Sequence, residues 1–174
     1  MRPPTVHSPA VRLPRIAFVG RHNSGKTTFL LAVLPLLAAR GVRLGYVKHA
    51  HAGFEIDQPA KDSYRVRRAG VLQTIVTGEG QTAVIDDAEG SSLDAVIARY
   101  ARDDLDLVVI EGFKTDPTPK IEVARAALSR ELLCGNDRNL VATVTDFPVA
   151  PDVPHFALTD ASAVADFIAA RIRR

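Results

Sequence analysis

Eight consecutive residues in this chain carry a specific chemistry: Gly20-Arg21-His22-Asn23-Ser24-Gly25-Lys26-Thr27. Their spacing fits G-x-x-x-x-G-K-[ST], a loop whose backbone wraps phosphate groups. Gly20 and Gly25 allow backbone conformations and close approaches that a Cβ would block. Successive N–H groups then face inward onto phosphate oxygens, helped by the positive end of the following helix. Lys26 reaches the β- and γ-phosphates and stabilises charge as the γ-phosphoryl leaves. Thr27 offers a hydroxyl to Mg²⁺, and Thr28 carries the loop into its helix. Residues Gly20 to Thr28 therefore read as a nucleoside triphosphate site. A glycine turn that happens to end in Lys-Thr is the plain alternative. The flanks argue against it, because Ile16-Ala17-Phe18-Val19 reads as a strand and Thr28 to Ala39 as a helix.

A phosphate loop needs partners at the carboxyl ends of neighbouring strands, where open α/β sheets bind ligands. Leu107-Val108-Val109-Ile110-Glu111-Gly112 is an apolar run ending in a carboxylate. Glu111 there can hold a Mg²⁺-bound water or orient an attacking one, and is taken as a catalytic and metal-site candidate. Asp106 precedes the run and is expected at the far end of the strand. Lys48-His49-Ala50-His51, with Asp57, Lys61, Asp62 and Ser63 beyond, concentrates bases, acids and hydroxyls. Asp57 or Asp62 can take an outer position on Mg²⁺, which keeps several waters and accepts only one or two carboxylates. His49 and His51 have the spacing of a transition-metal pair, but a solvated loop or a triphosphate contact suits two isolated histidines better. Thr143-Val144-Thr145-Asp146 ends a late apolar strand. An Asp at that place accepts hydrogen bonds from guanine N1–H and the N2 amine, a donor pair that adenine lacks. The alternative for Asp146 is a turn before Pro148. Arg65 and Arg68 share one helical face with Asp62 a turn earlier. They fit either a solvated face or a site for an anion or acidic partner, since the guanidinium fork suits phosphate.

The elements that must position these residues alternate along the chain. Strands are expected at Arg15–Val19, Arg43–Val47, Leu72–Val76, Thr82–Ile85, Leu105–Ile110, Lys120–Val123 and Leu140–Val144. Gly78-Glu79-Gly80 joins the third to the fourth as a hairpin. Helices are expected at Thr27–Arg40, Lys61–Ala69, Ser91–Arg102, Ala127–Cys134 and Asp160–Ile172. Gly41 and Gly70 close the first two, Ser91 caps the third and Asp160 the last. Pro35 is expected to kink or shorten the first helix. This β/α alternation implies an α/β fold of three layers: a mostly parallel central sheet with helices on both faces.

The chain has 174 residues, 47% hydrophobic and 24% charged. That length suits one domain and buries about 70% of the unfolded surface. Met1 to Pro14 contains Pro3, Pro4, Pro9 and Pro14 and reads as a flexible leader, with a phosphate-loop domain over 15–174. A net charge of +2 gives no ground to expect nucleic-acid or membrane binding. The longest apolar run, Phe29 to Ala39, is shorter than the roughly 20 residues of a membrane helix. No secretory h-region is seen, and the single cysteine, Cys134, fits a small buried hydrophobe in a reducing compartment. The expected location is cytoplasmic.

Several motifs together resemble one family, the molybdopterin-guanine dinucleotide biosynthesis B proteins (MobB). They are Gly20 to Thr28, Gly45-Tyr46-Val47-Lys48-His49, Asp57 with Lys61-Asp62-Ser63-Tyr64-Arg65, Ala69-Gly70, Glu111-Gly112-Phe113-Lys114 and Pro119-Lys120-Ile121-Glu122. The likeness runs from about Arg15 to the C-terminus. Three positions depart from the pattern: Ala52, where a further histidine is common, Ala60 in place of Gly, and Val71 in place of Ala. The first weakens a metal reading of the loop. The resemblance implies a P-loop protein that binds GTP with Mg²⁺, hydrolyses it slowly and forms homodimers. It implies an adaptor that assists the MobA-type guanylyltransferase joining GMP to molybdopterin. Contacts to pterin or partner would then fall on Lys48, His49, His51, Arg65, Arg68 and Lys114. The competing function on the same loop is a small-molecule kinase or ATP-dependent ligase, with an acceptor pocket near Lys48, Asp57 and Lys114. No arginine finger is evident beyond Arg21 inside the loop, which implies slow turnover unless a partner supplies one.

Overall fold

A computed structural model describes residues 13–50, 53–86, 92–149 and 152–173. The expected leader through Arg12, His51 and the Ser91 cap lie outside the described residues. The chain divides into two compact units, one formed by Met1–His49 with Ala101–Arg174 and the other by Ala50–Tyr100.

The first unit holds β1 (Arg15–Val19), α1 (Lys26–Ala39) and β2 (Leu44–Lys48). The second holds α2 (Asp62–Arg68), β3 (Gln73–Gly78), β4 (Gln81–Asp86) and α3 (Leu93–Tyr100). The chain then returns to the first unit with β5 (Leu107–Glu111), β6 (Lys120–Ala124), β7 (Leu140–Thr145), β8 (His155–Phe156) and α4 (Ala161–Ile172). Six strands form one sheet in the order β2-β5-β1-β6-β7-β8, and every pairing in it is parallel. It is the α/β arrangement expected, a parallel central sheet flanked by helices.

Parallel pairing buries both faces of the central strands, so they read as continuous apolar runs. Leu107, Val108, Val109, Ile110 and Glu111 are all buried. One face packs on the two long helices: Phe29, Leu30, Val33 and Leu37 of α1, with Val164, Ala165 and Ile168 of α4, join Ile16, Phe18, Val109, Ile121 and Val144 in one core. The chain runs from β2 to β5 on one side of β1, then crosses to β6, β7 and β8 on the other. The carboxyl end of β1 is therefore a topological switch point, where open sheets leave a crevice for ligands. Far from that end, Asp106 accepts bonds from the Arg43 guanidinium at 3.0 and 2.7 Å, as its place before the apolar run implied. The guanidinium and the Arg43 backbone N–H together hold the Asp106 carboxyl down to about 2.

Two local expectations are corrected, the helix at Ala127–Cys134 and the Asp160 cap. Ala127–Cys134 forms turns and no helix. The amides a helix would use are captured by side chains: Glu131 N–H donates to Ser129 Oγ, and Leu133 and Cys134 N–H donate to the Glu122 carboxylate at 2.6 and 2.8 Å. Such local bonds compete with helix formation. Of the kink or shortening expected at Pro35, the shortening is not seen: α1 continues to Ala39. Pro35 has no N–H to give the Leu31 carbonyl one turn earlier, and Leu31 lies on the exposed side of the helix. Asp160 stands at the N-cap of α4, but its carboxylate accepts the Ala157 N–H instead of capping the helix. At α3 it is Ser92 whose hydroxyl accepts the Ala95 N–H. In the second unit the hairpin forms as expected: Gly78 pairs with Gln81, and Gly80 turns the chain at φ 81°.

Candidate functional site

The phosphate loop connects β1 to α1 at the switch point. Its first glycine is required by contact. At Gly20, with φ 148°, a Cβ would lie 2.2 Å from the Val123 carbonyl oxygen of β6 and 2.8 Å from Ser24 Oγ. Gly25 adopts φ 87° at the N-cap of α1. Arg21 begins the turn, His22 and Asn23 are exposed at its tip, and Asn23 takes a left-handed φ of 61°. Ser24 is buried, with a hydroxyl that has no hydrogen-bond partner among the described residues. Phe29 N–H bonds to the Gly25 carbonyl, so the helical ladder starts immediately after the loop. Thr28 is exposed on the first turn.

Lys26 folds back over the loop. Its ammonium donates to the Gly20 carbonyl at 3.0 Å and the Arg21 carbonyl at 2.7 Å. Burial lowers its pKa, with the Glu111 charge opposing and the Lys48 charge adding to the effect. Beside it, Thr27 Oγ1 donates to Glu111 Oε1 at 3.0 Å. The loop hydroxyl and the strand-end carboxylate, chosen from residues 84 apart, are thus in direct contact. Glu111 also accepts the Tyr46 hydroxyl at 2.6 Å and lies 3.6 Å from Lys48 Nζ. Burial pushes the Glu111 pKa up, but the Tyr46 and Thr27 hydroxyls and the two lysines outweigh it, leaving the group below its ordinary value. The carboxylate is ionised at neutral pH. Tyr46 is shifted the other way, upward, by burial and by the bond to Glu111.

Gly112 follows at φ 98°, with His49 Cβ 3.1 Å from where its own Cβ would sit. His49 N–H bonds to the Glu111 carbonyl, and its ring stacks on Phe113 with centroids 4.5 Å apart. Lys114 is exposed one residue further on. Lys48 and His49 therefore stand with Glu111 at one flank of the loop. Asp146 directly follows β7, exposed, and its Oδ1 accepts the Ala126 N–H at 2.7 Å.

Asp57, Asp62, Arg65 and Arg68 belong to the second unit. Asp57 Oδ1 accepts the Ser63 hydroxyl and the Gln58 N–H, both at 3.0 Å, while its Oδ2 is buried without a hydrogen-bond partner among the described residues. Asp62 is almost fully exposed and lies 3.8 Å from Arg65. Arg68 lies 3.9 Å from Glu55 and over the Tyr64 ring. Among the described residues there is no cluster of three or more His, Cys, Asp or Glu suited to a metal. The donor set that does fit a hard cation is the Thr27 hydroxyl beside the ionised Glu111, oxygen ligands of the kind Mg²⁺ takes.

Two contributors to the site were not singled out from sequence. Tyr46 and Lys48 lie on the same face of β2 by the two-residue alternation, which offered a signal. Arg125, just beyond β6, donates from Nε to the Ser24 carbonyl at 3.2 Å. No local pattern marked it, because the pairing of β6 with β1 is a property of the whole sheet.

Similarity to known proteins agrees with this geometry. The family model described as "Molybdopterin guanine dinucleotide synthesis protein B" matches residues 15–146. The molybdopterin-guanine dinucleotide biosynthesis adapter protein of Escherichia coli is 36% identical over 162 residues, covering 90% of this chain and 91% of that one. Its Haemophilus influenzae counterpart is 33% identical over 158 residues, covering 90% and 88%. A crystal structure of molybdopterin-guanine biosynthesis protein B superposes with a TM-score of 0.74 at 27% identity, over 92% of this chain and 99% of that one. The Bacillus subtilis MobB structure gives 0.73 at 28% identity, over 91% and 97%. On its phosphate loop, its parallel sheet and these matches, the chain belongs to the molybdopterin guanine dinucleotide synthesis protein B (MobB) family.

Proposed function

We propose that this protein is a GTP-binding adapter in the synthesis of molybdopterin guanine dinucleotide. It would assist a MobA-type guanylyltransferase that attaches GMP to molybdopterin, and hydrolyse GTP slowly. The observation that carries the nucleotide reading is the Thr27–Glu111 contact at 3.0 Å, which joins the end of the phosphate loop to the end of β5. The names of the relatives support the pathway. The exposed carboxylate of Asp146, two strands from β1, supports guanine over adenine.

The residues divide the work. Backbone N–H groups of Gly20 to Thr27 bind phosphate oxygens, and the Lys26 ammonium exchanges its two loop carbonyls for the β- and γ-oxygens. Thr27 and Glu111 would hold Mg²⁺, which would supply positive charge against the triphosphate. Ionised Glu111 also accepts a hydrogen bond from the attacking water and so orients it. Tyr46 and Lys48 keep that carboxylate charged and in place. Asp146 keeps one oxygen on the Ala126 N–H and offers the other to guanine. Lys114 and His49 at the loop flank, with Arg65 and Arg68 of the second unit, are candidates for pterin or partner contact. Homodimer formation and a cytoplasmic setting complete the proposal.

Equilibrium titration with labelled GTP and ATP analogues, with and without Mg²⁺, tests it. Mg²⁺-dependent preference for GTP is expected. Preference for ATP with phosphoryl transfer to an added acceptor would return the function to a small-molecule kinase or ligase.

A further inference from the structure

Glu111 and Arg125 approach the phosphate loop from opposite flanks. β5 and β6 lie on either side of β1, and each brings one charged side chain to the loop at its carboxyl end: Glu111 ends β5 and Arg125 follows β6. The Glu111 flank holds Thr27, and hence the metal and γ-phosphate end. The other flank is basic. Arg125 Nε donates to the Ser24 carbonyl at 3.2 Å, and both Nε and Nη2 lie 3.1 Å from the position a Cβ would take on Gly25.

Three features make this guanidinium more than a prop. First, it forms no ion pair among the described residues, so its charge is uncompensated. A second cation, Lys26, lies on the same loop. Like charges gathered on one loop repel unless an anion joins them. Second, Arg125 is anchored. Its carbonyl accepts the Leu128 and Ser129 N–H groups, and the Asp146 carboxylate accepts the N–H of the next residue, Ala126. These bonds fix the backbone, and the Nε bond to the Ser24 carbonyl restrains the side chain. Third, that anchor sets Arg125 between the loop and Asp146, the residue assigned to guanine.

We propose that Arg125 is a nucleotide-binding residue that holds the base-proximal phosphates from the β6 flank. Nε clamps the Ser24 carbonyl, and the terminal nitrogens bind phosphate oxygens that GTP and GDP share. The proposal rests on the nucleotide reading of this site and adds a ligand contact to it.

The test compares the parent chain with Arg125→Ala, Arg125→Lys and Lys26→Ala by equilibrium titration. The probes are GTP, GDP and inorganic tripolyphosphate, with thermal unfolding recorded for each variant. Arg125→Ala should weaken GTP and GDP by a similar factor, about 10- to 100-fold as for a lost charged hydrogen bond, with the unfolding midpoint unchanged. Arg125→Lys should recover most of the tripolyphosphate affinity, since it restores the charge. Affinities within twofold of the parent in Arg125→Ala would overturn the proposal, and if Lys26→Ala still lost binding, the site itself would stand. An equal loss in Arg125→Ala and Arg125→Lys with a lowered midpoint would also overturn it, making Arg125 a support for loop shape alone. If the parent bound ATP as well as GTP, the guanine assignment would fall, and the Arg125 contact would be read from tripolyphosphate.

Discussion

Removing one phenol oxygen tests what keeps the Glu111 carboxylate charged and in place. In Tyr46→Phe the ring remains on β2 and only the 2.6 Å bond to Glu111 Oε2 is lost. A hydrogen bond to a charged group contributes about 1.5–3 kcal/mol. Tyr46 is 48% exposed, so water replaces part of it and solvent screens the rest. The expected loss at neutral pH is therefore about 1 kcal/mol, or a fall of about 2–4 °C in midpoint for a chain of this length. Its pH dependence follows from Glu111. The fold lowers the Glu111 pKa, so the group contributes stability above its unfolded value, and that contribution is lost as pH falls through the lower folded value. Of the influences that lower it, the Tyr46 bond is the largest. Without that bond the folded pKa rises toward its ordinary value of 4.5, so the gap between parent and variant should be full at pH 7 and narrow as pH falls below 4.5. Thermal or urea unfolding of both proteins from pH 3.5 to 7.5 reads this directly. A gap of constant size across that range, or no gap at pH 7, would refute the idea that the phenol stabilises ionised Glu111.

The other predictions concern the loop and its ligand. Lys26→Ala should abolish triphosphate binding and keep the fold, since its ammonium touches only two loop carbonyls; unchanged GTP affinity would remove the site. Asp146→Asn should relax guanine preference toward xanthine, because an amide donates where the carboxylate accepted; titration with GTP and XTP measures it, and parent-like affinities for both would place the base contact elsewhere. Gly20→Ala should destabilise by on the order of 3 kcal/mol, from left-handed φ strain and a 2.2 Å approach to the Val123 carbonyl. A urea midpoint equal to that of the parent would show that β1 and β6 can separate at low cost.

Much of the site was legible because its parts are local. The phosphate loop is a contiguous pattern, and its glycines, its lysine and its threonine have roles set by backbone geometry within eight residues. The run Leu107 to Glu111 declared a buried parallel strand with one carboxylate at its end, since only a strand covered on both faces is apolar at every position. The hairpin at Gly80 and the stop at Gly41 followed from conformations that glycine reaches easily. Where the sequence misled, the deciding partner was distant or lay on the wrong side. The segment Ala127–Cys134 has helical composition, yet Glu122, on a strand whose neighbours no local pattern names, takes two of its amides. Pro35 is a helix breaker in isolation, yet α1 runs through it to Ala39.

Strand order was the information that the sequence lacked. Nothing in the residues of β6 says that it lies beside β1, and only that adjacency puts Arg125 on Ser24 and makes Gly20 irreplaceable. The same holds for Tyr46, whose alternation gave it a face but not a partner; β2 had to pair with β5 in the register Lys48 to Glu111 before the phenol could reach the carboxylate. The chain by itself determined which groups are candidates for phosphate, because that pattern is written in consecutive residues. Which charges surround the loop, and from which side, was decided by tertiary structure, because the pairing of distant strands minimises the energy of the whole sheet and not of any one segment.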